Sequence, residues 1–389
     1  MTRQQHTGFK HPRSSRSVFT TLATAAVLFL FGGYAGAEHA GLSGAGGPTV
    51  DPAIEPYTNH NGLHGKLSIA GSDTMRPLIS KLSAQFLSLH PGAQIAVEGT
   101  GSSAAIREFL LGLSYQRRGD KVQSRGTAGS NAVELLASSR QLTEEEQKGF
   151  EFNYGYRPLE VPIAMDAVAI YVHKNNPIQR LTLAQIDGIF GKDHKRGQAA
   201  ISNWSQVGLL ESSLAQQPIH LYGRDKRSGT REFFKHVALK DGDLVDTVVE
   251  QPGSASEIIA IAQDPLAVGY AGAGFNISDV RQVPIASQPD QSALLPSVDT
   301  VTSGTYPLGR SLYLYVKKNP NDKLDPFVAE FLSFVNSRQG QETVARASFY
   351  PLTGAQVAKN LQDLGLLKGA MVGTPTKNQE MQFAEQVSR

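Results

Sequence analysis

Apolar positions along the chain alternate between the period of a strand and the period of a helix. The segment "KLSIAGSDTMRPLISKLSAQFLSLHPGAQIAVEG" opens with a short strand, "LSIA", and closes with another, "AQIAVEG". Between them, apolar side chains recur at helical spacing, at Met75, Leu78, Ile79, Leu82, Phe86 and Leu89. A strand, a helix and a strand in this order predict a parallel sheet.

The same alternation continues for some 300 residues. Strands are predicted in "VPIAMDAVAIYVHKNNP", "QPIHLYGRD", "AVGYAGAG" and "YPLGRSLYLYVKKNP". Helices are predicted in "TLAQIDGIFG" with Thr182 as its cap, "SGTREFFKHVAL" and "SASEIIAIAQDP", and one long helix in "DPFVAEFLSFVNSRQGQETVARA". This order predicts an α/β protein, and the length of 389 residues favours two lobes.

Three segments lack an apolar period. Residues 38–64 are rich in Gly, Pro, Asn and His and are expected to form a flexible leader. The stretch from Ser114 to Ser130 is expected to be an inserted surface loop. The polar tail over residues 367–389 is expected to be loose.

The N-terminus has the order of a secretory signal peptide. Basic residues precede an apolar run from Val18 to Gly33, and Ala35-Gly36-Ala37 fits a cleavage site before Glu38. We therefore expect a signal peptide over residues 1–37 and a periplasmic protein, with secretion also open. An uncleaved membrane anchor is the alternative, although the run is short for a span and several threonines dilute it.

Composition excludes several classes of protein. The chain has 37 Lys+Arg against 35 Asp+Glu, a net charge of +2, which argues against nucleic-acid binding. It has no cysteine, which excludes disulfides, thiol chemistry and cysteine-ligated zinc. Its 10 histidines include no H-E-x-x-H motif, and His60 and His64, the pair with H-x-x-x-H spacing, lie in a segment without an apolar period, so we expect no metal and no cofactor.

Three turns combine glycine with hydroxyl residues where a strand meets a helix. They are "GSDTM" (the first turn), "GTGSSAAI" (the second turn) and "RSGTR" (the third turn). Unpaired backbone N–H groups and the helix dipole favour an anion at such a place. Any single turn is more often a plain N-cap. Three turns together favour a shared anion site, and the absence of a nucleotide-binding loop favours a small anion.

The third turn lies in the basic stretch "YGRDKRSGTR". Arg224 ends a predicted strand, from which its guanidinium can reach an oxyanion, and Asp225 could orient it. We expect Lys226, Arg227 and Arg231 to form a solvated rim that adds positive potential. The alternative for Arg224 is a surface salt bridge.

The order of these motifs resembles the periplasmic phosphate-binding proteins of phosphate ABC transporters, which have the type II periplasmic-binding-protein fold. The resemblance rests on "GSDTM", "GTGSS", "ASSR" and "GRDKRSGT", with support from "EQPGSAS" and "VGYAG". It implies two lobes, each a mostly parallel sheet flanked by helices, joined by two crossing strands. Lobe I is expected over 65–164 plus 306–366, and lobe II over 165–305.

The resemblance also implies a function. The protein is expected to capture inorganic phosphate between its lobes and to deliver it to an inner-membrane ABC permease. It is expected to be a monomer and to need no catalysis. A secreted phosphatase-like enzyme, or a phosphate scavenger or sensor that uses the same pocket, remains the alternative.

The family's phosphate ligands carry over to each of the three turns. The implied donors are Thr74, Met75 through its backbone N–H, Ser102, Arg224, Ser228, Gly229 and Thr230. Ser139 falls where better-known members carry an aspartate that accepts the phosphate proton, and Arg140 beside it is a second candidate cationic ligand.

Two carboxylates could compensate for the missing aspartate. Asp73 lies in the first turn, where it could instead be a helix cap. Asp166 interrupts an apolar strand, where a charge is costly unless it is paired, and Arg140 is a candidate partner. The sequence alone does not rank Asp73 and Asp166.

Overall fold

A computed structural model describes residues 49–59, 62–112, 114–118, 121–125, 133–275 and 277–367. The strands are β1 (Gly65–Gly71), β2 (Ala93–Glu98), β3 (Ser114–Arg118), β4 (Lys121–Arg125), β5 (Leu135–Ser138), β6 (Leu159–His173), β7 (Leu181–Thr182), β8 (His220–Arg224), β9 (Val249–Gln251), β10 (Ala267–Gly272), β11 (Val280–Val283), β12 (Ile285–Ala286) and β13 (Gly309–Val316). The α-helices are α1 (Arg76–Leu89), α2 (Ser102–Leu111), α3 (Glu144–Tyr154), α4 (Leu183–Phe190), α5 (Gly229–Ala238), α6 (Ser254–Gln263), α7 (Val298–Thr302), α8 (Pro326–Val335), α9 (Arg338–Arg346) and α10 (Gly354–Leu364).

Within these residues, the main sheet has the strand order β2-β1-β5-β13-β6-β10-β8-β9, and β11 also pairs with β6. One end of the sheet is parallel, because β1 pairs in parallel with β2 and with β5. The other end is also parallel, because β8 pairs in parallel with β10 and with β9. The antiparallel pair β13 and β6 joins the two ends.

Strand β6 passes from one end of the sheet to the other. Its first part, Leu159–Ala167, pairs with β13, and its last part, Val168–Val172, pairs with β10. Helices cover both faces of the sheet, so most of β6 is buried and reads as a nearly continuous apolar run. Ile163 packs in one large core with α1, α8 and β13, and Ile170 packs in another with α4, α5 and β10.

The two cores support the predicted lobe boundaries. One core takes its residues from 67–164 and 312–364, and the other takes almost all of its residues from 167–308, with Tyr350 as the exception. The boundaries themselves stay a prediction. In the part of the chain that the structure describes, no helix is both long and apolar enough to cross a membrane.

Capping residues set where several helices begin. Thr182 caps α4 as predicted, with a capping box in which its hydroxyl accepts from the N–H of Gln185. The prediction of one long helix after Asp325 is wrong, because α8 and α9 are separate helices. Asn336 ends α8, and the hydroxyl of Ser337 accepts from the N–H of Gly340 to begin α9.

The segments without an apolar period contain more structure than predicted. The expected loop from Ser114 contains two antiparallel strands, β3 and β4. Part of the expected flexible leader is packed, since Ile54 is 1% exposed against Leu352 and Val357. The signal peptide expected over residues 1–37 and the tail from residue 368 lie outside the described residues.

Candidate anion-binding site

The three glycine-and-hydroxyl turns meet in one buried place. Thr74 Oγ1, from the first turn, lies 3.0 Å from Thr230 Oγ1, from the third turn. A methyl group placed on Gly229 would lie 2.4 Å from Ser102 Oγ, so the third turn also abuts the second. Only glycine allows this approach. The prediction that the three turns share one site therefore agrees with their positions.

Gly101 allows α2 to begin directly against the third turn. Its φ of 95° is in the left-handed region, and a methyl group on it would lie 2.4 Å from the carbonyl oxygen of Arg227. The N–H of Ser103 donates to that same carbonyl oxygen at 3.0 Å. The second turn is thereby held against the third.

A fourth helix begins at the same place. Ser254, the first residue of α6, is fully buried, and its Oγ lies 3.3 Å from Thr74 Oγ1. The sequence analysis used "EQPGSAS" only as support for the resemblance and did not assign Ser254 to the site. The signal was present, since "PGSAS" puts glycine and serine at the start of the predicted helix "SASEIIAIAQDP". We call the following hydroxyl residues, together with the backbone of Gly229 that packs among them, the hydroxyl cluster: Thr74, Ser102, Ser139, Ser228, Thr230 and Ser254.

Arg224 ends β8 beside the hydroxyl cluster and is 1% exposed. Its Nη1 donates to Ser254 Oγ at 2.7 Å, and its Nη2 lies 3.3 Å from the carbonyl oxygen of Pro252. The alternative of a surface salt bridge is wrong because of this burial. Asp225 does not orient Arg224 as expected, since its carboxylate binds Arg227 at 2.6 Å.

Ser139 and Arg140 are separated by the fold although they are adjacent in sequence. Ser139 is fully buried, its N–H donates to Ser102 Oγ at 3.2 Å, and its Oγ lies 3.3 Å from that oxygen. The guanidinium of Arg140 instead makes two 2.7 Å hydrogen bonds to the carboxylate of Glu146. The structure therefore does not place Arg140 as a ligand in the hydroxyl cluster.

Asp166 pairs with Arg310 and not with Arg140. The two residues are opposite each other on β6 and β13, and Arg310 Nη2 lies 2.7 Å from Asp166 Oδ2. Arg310 Nη1 also donates to the carbonyl oxygen of Ser139 at 3.1 Å. The other carboxylate oxygen, Asp166 Oδ1, is buried without a hydrogen-bond partner among the described residues. Burial raises the pKa of Asp166, and the Arg310 guanidinium opposes that effect.

Asp166 Oδ1 and Thr74 both face Gly272 of β10. A methyl group on Gly272 would lie 3.2 Å from Thr74 Cγ2 and 3.6 Å from Asp166 Oδ1. Asp73, the other candidate carboxylate, is already bound: its Oδ2 accepts from the N–H of Ser254 at 3.2 Å and lies 3.5 Å from Arg224 Nη2. Of the two candidate carboxylates, Asp166 is therefore the one with a buried oxygen that has no hydrogen-bond partner among the described residues.

The remaining residues of the third turn act as caps as well as neighbours of the cluster. Ser228 Oγ accepts from the N–H of Arg231 at 3.3 Å and begins α5. Met75 is buried directly before α1, where its backbone N–H bonds to the carbonyl oxygen of Ser72. Over the described residues, no group of three acidic or histidine side chains could hold a metal ion.

Comparisons with known proteins decide the family. Residues 39–339 match a family model described as a PBP superfamily domain. The phosphate-binding protein PstS of Pseudomonas aeruginosa is 36% identical over 318 residues, which cover 82% of this chain and 92% of that relative. The chain belongs to the phosphate-binding proteins of the PBP superfamily.

Solved structures of this family share the fold. A substrate-binding protein of a phosphate ABC transporter from Clostridium perfringens, solved with bound phosphate, is 26% identical with a TM-score of 0.57, covering 74% of this chain and 100% of that chain. An ABC-type phosphate transport receptor from Vibrio cholerae, at 23% identity and a TM-score of 0.55 over the same shares, adds support for the fold. The predicted two-lobed periplasmic-binding-protein fold is confirmed.

Proposed function

We propose that this protein is an exported receptor that captures inorganic phosphate in the hydroxyl cluster and delivers it to an ABC permease. The observation that carries the proposal is the convergence of four helix N-termini and the Arg224 guanidinium in one buried place. Helix N-termini and hydroxyl groups supply hydrogen-bond donors for oxyanions, and a guanidinium adds a fixed positive charge. The 36% identical relative is named a phosphate-binding protein, which supports this choice of anion.

We assign the donors by the turn to which they belong. The first turn donates through Thr74, and the second turn donates through Ser102. The backbone N–H of Met75, also predicted as a donor, is left out because it bonds to the carbonyl oxygen of Ser72. The third turn donates through Ser228, Gly229 and Thr230. To these donors the proposal adds Ser139 and Ser254, which contact the predicted residues directly, and it leaves out Arg140 because Glu146 binds its guanidinium.

Asp166 is the proton acceptor in this proposal. Phosphate at neutral pH carries a proton that sulfate lacks, so an ionised carboxylate in the pocket accepts from phosphate and repels sulfate. Asp166 Oδ1 has no hydrogen-bond partner in the part of the chain that the structure describes, whereas Asp73 is bound by Ser254 and Arg224. Arg310 favours the ionised form of Asp166.

The test is a calorimetric titration of phosphate and of sulfate into phosphate-free protein. We expect the wild type to bind phosphate at least about a hundredfold more tightly than sulfate. In Asp166→Asn, Arg310 holds the amide oxygen, so the amide NH₂ replaces Oδ1 at the pocket and donates to either anion. We expect the ratio of affinities to fall at least about tenfold.

The matched control is Asp225→Asn, which changes a carboxylate that binds Arg227 and lies outside the hydroxyl cluster. We expect the control to keep the wild-type ratio. A wild type that binds neither anion would refute the proposed function. Phosphate binding with an unchanged ratio in a folded Asp166→Asn variant would refute only the assignment of Asp166.

Export and delivery complete the proposal. The signal peptide predicted over residues 1–37 supports transfer to the periplasm, and the Clostridium perfringens neighbour belongs to a phosphate ABC transporter. We propose that the mature protein begins at Glu38 and works as a monomer. The mass of the exported protein, measured by mass spectrometry, checks the cleavage site.

We propose binding and not catalysis as the function. The Pseudomonas aeruginosa relative is named a phosphate-binding protein, and the Vibrio cholerae neighbour is named a phosphate transport receptor. No observation on the described residues favours the phosphatase-like alternative over capture.

A further inference from the structure

A second buried carboxylate, that of Glu257, interacts electrostatically with Arg224 and is not among the proposed phosphate ligands. Glu257 is in the first turn of α6, one helical turn after Ser254, and is fully buried. Its Oε1 accepts from the N–H of Tyr270 on β10 at 2.9 Å. Its Oε2 has no hydrogen-bond partner among the described residues, and neither does Nε of Arg224.

This environment disfavours the charged form of Glu257. Burial raises the pKa of Glu257 to about 8, although the positive charge of Arg224 opposes the shift. Among the described residues, the guanidinium of Arg224 is hydrogen-bonded to Asp73 and Ser254 and not to Glu257. At pH 7 Glu257 is therefore mostly neutral, and it leaves the charge of Arg224 available to an anion.

Other charged and titratable groups around α6 do not take up the proton in place of Glu257. Tyr270 on β10 and Tyr171 on β6 interact with Glu257, and burial raises the pKa of both phenols so that they stay neutral. Glu250 on β9 is bound by Arg231. Arg281 on β11 donates to the carbonyl oxygens of Asn176 and Ile178, and Asp166 on β6 pairs with Arg310.

We infer that Glu257 is a proton-responsive positioning residue, which must be neutral for the Arg224 site to hold a doubly charged anion and must therefore take up a proton when phosphate binds at alkaline pH. The inference rests on the proposed function. Its physical basis is the thermodynamic linkage between protonation and binding. If bound phosphate favours the neutral carboxyl of Glu257, then ionisation of that carboxyl weakens phosphate binding by the same free energy.

The raised pKa of Glu257 decides in which direction phosphate affinity changes with pH. Below about pH 8, Glu257 is already neutral in the free protein, and binding takes up no proton at this residue. Above that pH, the free protein carries an ionised Glu257 that must be protonated on binding. Affinity for phosphate therefore falls by up to about tenfold for each pH unit above 8.

The experiment is a calorimetric titration of inorganic phosphate from pH 6 to pH 9.5 into the wild type and Glu257→Gln. Glutamine keeps the shape and the acceptor for Tyr270 but does not ionise in this range. Phosphate itself also titrates in this range, but it does so equally with both proteins. Its effect therefore cancels in the ratio of the two dissociation constants. We expect a constant ratio up to about pH 7.5 and a weakening of the wild type relative to the variant above pH 8, approaching tenfold per unit.

The control is Glu151→Gln, since Glu151 lies on α3 in an exposed ion pair with Arg157. We expect its dissociation constants to follow those of the wild type at every pH. A ratio between wild type and Glu257→Gln that stays constant from pH 6 to pH 9.5 would overturn the inference while leaving the proposed function intact. Absence of phosphate binding by the wild type at every pH would overturn both.

A second measurement needs no variant and decides the question if Glu257→Gln fails to fold. At about pH 9 phosphate is already the protonated dianion that the pocket is proposed to hold, so its own protonation does not change on binding. Titration of the wild type in two buffers with different ionisation enthalpies measures proton uptake directly. Uptake approaching one proton supports the inference, and no uptake overturns it.

Discussion

At the scale of single residues, the buried charges set both the stability and the chemistry of the pocket. The side chains of Arg310 and Asp166 are 2% and 1% exposed, and each is the main partner of the other. An unpaired charge at such a depth destabilises a protein strongly, whereas removal of both charges is often tolerated. The free energy of unfolding should therefore fall strongly only when one of the two charged side chains is removed and the other is kept.

A thermodynamic cycle on this pair tests that statement. We expect Arg310→Met to lower the free energy of unfolding by about 3–5 kcal/mol, because it leaves Asp166 buried and uncompensated. The double variant Arg310→Met with Asp166→Asn should recover at least half of that loss. Urea unfolding followed by circular dichroism measures both values.

The exposed residue Arg157, which pairs with Glu144 and Glu151, offers the control. We expect Arg157→Met to change the free energy of unfolding by no more than about 1 kcal/mol. Equal losses in Arg310→Met and in the double variant would show that the buried charge itself is not the cause.

The partner of Asp166 could not be predicted from the sequence. Asp166 was recognisable as a charge in an apolar strand, but Arg310 is 144 residues away. The two meet only because β6 and β13 pair in the register that places them opposite each other. Arg140, the partner first considered, has a nearer acceptor in Glu146 at the start of α3.

At the scale of elements, the site is built from the beginnings of helices, which have local sequence signals. Glycine and hydroxyl residues therefore identified α1, α2 and α5 as its parts before the fold was known. The prediction of a single long helix was wrong for a related reason. The apolar period continues across Asn336 and Ser337, but these two residues are the caps that end α8 and begin α9. Ser254 was missed although "PGSAS" carries the same local signal, because that turn was used only as support for the resemblance. Its contacts with Thr74 and Arg224 are visible only in the fold.

Close packing between these helix starts leads to a prediction for Gly229→Ala. The added methyl group would lie 2.4 Å from Ser102 Oγ and 2.8 Å from Ser139 Oγ, so the second and third turns must separate. We expect phosphate affinity to fall by at least about tenfold, because a shift of a few tenths of an ångström misplaces several donors at once. Calorimetry with phosphate measures the change.

Gly149→Ala is the matched control. Gly149 lies within α3, and the nearest atom to an added methyl group there is 3.8 Å away, at Leu110. We expect unchanged affinity and a gain in stability of about 0.5–1 kcal/mol, because alanine is a better helix former than glycine. Wild-type affinity in Gly229→Ala would contradict the account of how the turns meet.

At the scale of the whole molecule, residues from distant parts of the chain form a small polar centre between two apolar cores. Thr74 and Ser254 are 180 residues apart in sequence, yet their oxygens lie within 3.3 Å. The fold brings them together because the chain passes from one end of the sheet to the other through β6 and returns at β13. The alternation of strands and helices predicted this architecture, whereas the lobe boundaries stay a prediction that the two cores support.

The net charge of the molecule also indicates that phosphate affinity comes from the local site. The predicted signal peptide contains four basic and no acidic residues, so the mature chain from residue 38 has 33 Lys+Arg against 35 Asp+Glu, a net charge of −2. Such a charge does not attract phosphate through the surface as a whole, so affinity depends on the local donors and on Arg224. The central claim is that phosphate is held at this buried guanidinium.

Calorimetric titration of phosphate into Arg224→Gln tests that claim most directly, with Arg227→Gln as the control on the exposed rim of the same stretch. We expect the dissociation constant to rise at least about a hundredfold in Arg224→Gln, since a charged hydrogen-bond donor is lost from a desolvated site, and to change less than about threefold in the control. A folded Arg224→Gln variant that binds phosphate as tightly as the wild type would contradict the account.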